Sequence, residues 1–69
     1  MEIGIKIKQM RKQNNVTQRQ LADVLCVTSQ AISKWENGHT LPDIYQIATM
    51  AKQFGVSVDE MLEVGSVAK

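Results

Sequence analysis

The sequence predicts an all-α fold of five short helices, and three observations carry that prediction. Apolar residues recur at helical spacings of three and four, and nothing reads as a strand. A short phrase, Val followed by Thr or Ser, occurs three times, as Val16-Thr17, Val27-Thr28 and Val56-Ser57. In each, the hydroxyl can accept from an orphan amide of a first helical turn, while the Val and the apolar residue five positions later (Leu21, Ile32, Met61) form a hydrophobic staple. Two phrases add the reciprocal half of a capping box, Thr17 with Gln20 and Ser57 with Glu60.

Each element follows from these starts. Ile3, Ile7 and Met10 fall at spacings of four and three, which places a first helix over about 3–14, ending near Asn14-Asn15. The second covers about 18–25 with Leu21, Ala22 and Leu25 inward, and the third about 29–37 with Ile32 and Trp35 inward. Only Cys26, Val27 and Thr28 separate these two, and the small side chain of Ala22 lets them cross closely. Asn37-Gly38 tolerates the left-handed backbone that closes a helix, and Pro42-Asp43 opens the next. The fourth helix covers about 43–54, its apolar positions being Ile44, Ile47, Ala48, Ala51 and Phe54, and Gly55 stops it. A fifth, short helix covers about 58–62. Residues 1–64 make one folded unit, and the tail 65–69 is expected to fray.

Length and composition narrow the function classes. A chain of 69 residues is one domain, and its 43% apolar and 22% charged residues place it outside the disordered range. One cysteine, Cys26, makes no intramolecular disulfide, and Cys26 and the single histidine, His39, cannot supply a four-ligand zinc site. We expect no metal and no cofactor. No continuous apolar run suggests a signal peptide or membrane span, so an intracellular, cytoplasmic protein is expected. Charge divides along the chain: residues 1–40 carry six Lys/Arg against three acids, +3, and residues 41–69 carry two against four, −2. Such asymmetry suits a module that offers one face to a polyanion, and equally an ordinary solvated surface. One histidine in a turn, no carboxylate pair with a reason for a shifted pKa and no glycine-rich phosphate loop argue against an enzyme.

Five stretches in this order carry a resemblance. They are Ile7-Lys8-Gln9-Met10-Arg11-Lys12, Thr17-Gln18-Arg19-Gln20-Leu21-Ala22, Ala31-Ile32-Ser33-Lys34-Trp35-Glu36-Asn37-Gly38, Leu41-Pro42-Asp43 and Phe54-Gly55-Val56-Ser57-Val58-Asp59-Glu60-Met61-Leu62. With the three-residue connection between the second and third helices, they resemble the phage-repressor/Cro-like, or xenobiotic-response-element, family of helix-turn-helix domains over about residues 3–62. The resemblance implies a lambda-repressor-like five-helix fold. It further implies a sequence-specific double-stranded-DNA-binding transcriptional regulator, a repressor, acting as a homodimer on a palindromic operator with the third helix in the major groove.

Under that reading Ser29, Gln30, Ser33 and Lys34 form the base-reading face, short, polar and free of acids. An amide such as Gln30 suits adenine, a hydroxyl serves either base class, and Lys34 reaches guanine acceptors or a phosphate. The resemblance places Gln18, Thr28, Asn37 and Thr40 at the DNA backbone. It pairs Arg11 with Glu36 as a structural ion pair, any phosphate contact by Arg11 being secondary. Met61, Leu62 and Val64 are the expected dimer patch. Three residues depart from the family pattern: Cys26 stands where Gly is usual and is expected to be left-handed and half-buried, and Ile5 and Val24 stand where polar residues are usual and face outward. Two alternatives stay open, a protein-interaction module such as an antitoxin or a regulator that binds another protein, and the N-terminal fragment of a longer repressor.

Overall fold

In the computed structural model, residues 3–62 are described and carry five helices: α1 (Ile3–Gln13), α2 (Gln18–Leu25), α3 (Ser29–Glu36), α4 (Ile44–Phe54) and α5 (Val58–Met61). Every boundary lies within one residue of its sequence expectation, and no strand occurs among the described residues.

The recurring phrase works as both stop and start. Thr17, Thr28 and Ser57 are N-caps, each accepting from the amide three residues on, and the boxes with Gln20 and Glu60 close reciprocally. Asp43 with Gln46 forms a further box at α4 that the sequence reading did not single out. Ahead of each phrase stands a left-handed residue: Asn15 at φ 56°, Cys26 at φ 58° and Gly55 at φ 72°. The valine amide then reaches back to the helix just ended, Val16 to Arg11 O, Val27 to Ala22 O and Val56 to Ala51 O, at 2.9–3.0 Å. Each of these valines thus seals the preceding helix through its amide and staples the following one through its side chain. α3 ends in the same way, with Gly38 left-handed at φ 79° and His39 N bonding Lys34 O, but no valine-hydroxyl phrase follows it.

The core comprises Ile3, Ile7, Leu21, Ala22, Leu25, Ile32, Trp35, Ile47, Met50, Ala51 and Met61, with Met10, Val16, Val27, Phe54 and Val56 packed around it. α3 is held between α1 and α2, while α4 packs on α2 and α5. Gly4 permits the α1–α3 contact, because a Cβ there would overlap the Trp35 carbonyl oxygen and press on that of Glu36.

Several expectations are corrected. Met61 is fully buried, so it cannot line a surface dimer patch; the same staple that starts α5 drives it into the core. Leu62 stays exposed, and Val64 and the tail 65–69 lie outside the described residues. Cys26 is exposed rather than half-buried, because the left-handed turn projects its side chain away from the α2–α3 contact. On α4 the buried stripe runs Ile47, Met50, Ala51; Ile44 in the first turn overhangs its packing partners, and Ala48 points outward. Ile5 and Val24 do face outward.

Candidate nucleic-acid interface

The outward face of α3 is set by its inward one. Ile32 and Trp35 are three residues apart and buried, which turns Ser29, Gln30 and Lys34 to solvent and leaves Ser33 at the margin. Thr28 begins this face and Asn37 ends it, both exposed, with Thr40 exposed in the following turn. The side chain of Thr28 accepts from Ala31 N at 3.1 Å, and that of Asn37 donates through Nδ2 to Ser33 Oγ at 3.3 Å.

Behind the face lies one carboxylate with three donors. Glu36 is turned inward, its side chain only 3% exposed. Its Oε2 accepts from Arg11 Nε at 2.8 Å; its Oε1 accepts from Arg11 Nη2 at 3.2 Å and from Gln18 Nε2 at 3.0 Å. Arg11 spends its remaining arm on Val16 O at 3.0 Å. Burial pushes the Glu36 carboxyl pKa up, but the hydrogen bonds from Arg11 and Gln18 and the positive charges of Arg11 and Lys8 outweigh it, and the group is held below its ordinary range. One cluster therefore ties the end of α3 to α1 and to the first residue of α2.

An open groove runs from the α1–α2 connection to the start of α3, lined by Arg11, Lys12, Asn15, Thr17, Gln18, Arg19 and Ser29. No carboxylate lines it. The Thr17 cap takes the Gln20 amide, and those of Gln18 and Arg19, which a helix cannot satisfy internally, belong to groove-lining residues, so the groove offers positive charge and N–H donors together. No three His, Cys, Asp or Glu side chains come together as a ligand set among the described residues. No described helix is long and apolar enough to cross a membrane.

The structure thus brings Ser29, Gln30, Ser33 and Lys34 onto one stretch of α3 and joins Arg11, Gln18 and Glu36 in one cluster. Two links were missed by sequence reasoning. Gln18, expected at the DNA backbone, lines the groove and also donates its amide to Glu36; an eighteen-residue separation between two polar side chains leaves no periodic signal for that bond. Asn37, expected there as well, is exposed and turns its amide back on Ser33, a contact their separation of four permits.

Comparison with known proteins agrees with this architecture. A helix-turn-helix family model matches residues 7–61. The chain is 44% identical over 62 residues to the HTH-type transcriptional activator BcrR of Enterococcus faecalis, covering 90% of this chain and 30% of that protein. Among solved structures, it is similar to the P22 c2 repressor protein in complex with a synthetic operator, with a TM-score of 0.79 at 29% identity over 86% of this chain and 89% of that one. A transcriptional regulator from Listeria innocua superposes with a TM-score of 0.83 at 27% identity, covering 97% of this chain and 61% of the other. The family model spans most of the chain, from α1 through the capped α2–α3 pair to α5, and the chain belongs to the Cro/C1-type helix-turn-helix family.

Proposed function

We propose that this domain, over residues 1–64, binds double-stranded operator DNA as a sequence-specific transcriptional regulator with α3 in the major groove. The observation that supports it most is the acid-free outward face of α3, set beside a groove of positive charge and free amides at the start of α2. Gln30 reads adenine, Ser29 and Ser33 contribute hydroxyls, and Lys34 reaches guanine or a phosphate. Thr28 and Thr40 flank that face, and Lys12 and Arg19 neutralise phosphates along the groove.

A single unit reads few base pairs, so the domain works as a homodimer on a palindrome with half-sites about 34 Å apart. With Met61 in the core, the pairing surface is drawn from the exposed apolar residues, Leu62 and the stretch Leu41, Ile44 and Tyr45. Control is by occupancy in the cytoplasm, with repression the simplest outcome, and involves no chemical step and no cofactor. The exposure of Leu41, Ile44 and Tyr45 also favours a second reading, in which a different protein is the main partner.

Selection from random DNA duplexes with the purified protein, followed by a salt series on the enriched site, tests the proposal. Enrichment of an inverted repeat and a steep loss of affinity with salt, a logarithmic slope of roughly −0.9 per neutralised phosphate, are expected. A folded protein that enriches nothing would favour the protein-partner reading.

A further inference from the structure

Asn37 is attached to Ser33 twice. Its main-chain amide donates to Ser33 O at 3.0 Å, closing the helix, and its side-chain Nδ2 donates to Ser33 Oγ at 3.3 Å. The second bond takes up one lone pair of the hydroxyl. A serine Oγ has two lone pairs and one proton; with a lone pair facing the amide, the proton points elsewhere. A hydroxyl inside a helix commonly gives its proton to the carbonyl four residues back, as Thr49 does to Tyr45 O at 2.9 Å. Ser33 makes no such bond among the described residues, and its proton is free to leave the helix surface.

We propose that Asn37 is a positioning residue for base selection. By donating to Ser33 Oγ rather than accepting from it, Asn37 leaves the hydroxyl proton available to the major groove. The base facing Ser33 is then chosen for a carbonyl edge, guanine O6 or thymine O4, over the amino edge of cytosine or adenine. The inference rests on the proposed reading of DNA by α3, and it assigns Asn37 to specificity rather than to the phosphate backbone.

The test repeats the duplex selection with wild-type protein, Asn37→Asp, Asn37→Ala and Ser33→Ala. Aspartate has no amide proton and accepts from Ser33, which reverses the hydroxyl. We expect the wild type to favour a keto base at one position of each half-site by about five-fold, the worth of one hydrogen bond. Asn37→Asp shifts that position toward amino bases, while Asn37→Ala and Ser33→Ala flatten it. In a Ser33→Ala background Asn37→Asp changes no base preference. If both Asn37 variants weaken all sequences alike and leave every position unmoved, Asn37 serves the phosphate backbone or the cap alone, and the inference is overturned. If wild-type protein enriches no sequence, base reading by α3 fails and the inference falls with it.

Discussion

Glu36 and Arg11 are twenty-five residues apart in sequence and meet through two hydrogen bonds, 2.8 and 3.2 Å long, with 3% and 12% of their side chains exposed. Removing the arginine strands the carboxylate with Gln18 as its one remaining partner in that cluster. Arg11→Met is expected to cost about 3 kcal/mol, measured by urea unfolding. Because the folded-state pKa of Glu36 lies below its ordinary 4.5, the stability it adds is fully present above that value and is lost as pH falls through the lowered one. Wild-type stability should therefore drop more steeply than that of Glu36→Gln below pH 4.5; parallel profiles would show that the charge is not stabilising.

Gln30 and Gln18 should separate reading from support. Gln30→Ala is expected to cost roughly 1–3 kcal/mol of binding and to relax preference at one base pair per half-site, leaving stability unchanged. Gln18→Ala is expected to weaken all duplexes together and to lower stability by about 1 kcal/mol, through its lost bond to Glu36. Binding isotherms on cognate and single-base-changed duplexes, with a melting curve for each variant, measure both.

Gly4→Ala reverses a general rule. Inside an exposed helix this change gains about 1 kcal/mol. Here the added methyl overlaps the Trp35 carbonyl, a main-chain atom that cannot swing aside, and the change should instead cost about 1–3 kcal/mol. A stabilised Gly4→Ala protein would mean that α1 does not approach the end of α3 so closely.

Cys26→Gly should stabilise by about 1 kcal/mol, since a side chain at φ 58° carries a left-handed penalty. The exposed thiol gives up no packing in exchange. Thermal unfolding under reducing conditions reads the difference, and a lower melting temperature would contradict it.

Met61→Ala and Leu62→Glu should act on different quantities. Met61 is fully buried, and its truncation should cost about 2–5 kcal/mol of unfolding free energy. Leu62→Glu and Tyr45→Glu place charges on exposed positions and should leave stability within about 0.5 kcal/mol while weakening self-association in sedimentation. Unchanged association in both would remove these residues from the pairing surface.

The helices were legible because their boundaries are written locally: Thr17, Thr28 and Ser57 need only the next three or four residues to announce a start. Trp35 and Ile32 were legible as core for the same reason, their spacing matching one face of a helix. Met61 shows where such reading stops. An apolar residue near the end of the described chain looks identical in sequence whether it faces the core or a second molecule, and only the way α5 folds back on α4 and α1 decides. Gly4 carried no signal at all, since its small size matters only against the carbonyls of residues thirty-one and thirty-two positions away. Gln18 and Asn37 were expected at the DNA backbone: the acceptor of Gln18, Glu36, lies eighteen residues away and leaves no local signal, and the four-residue spacing of Asn37 from Ser33 allows their contact without announcing it.

The valines that join successive helices have a kinetic meaning as well. Val16, Val27 and Val56 each bond one helix and pack into the next, so neither neighbour can form fully while the other is loose. Their main-chain bonds span only five residues, which makes the entropy of closing each joint small. A chain assembled from such short-range joints should fold in microseconds to milliseconds and in a single cooperative step. Replacing one joint valine by alanine should loosen two helices at once.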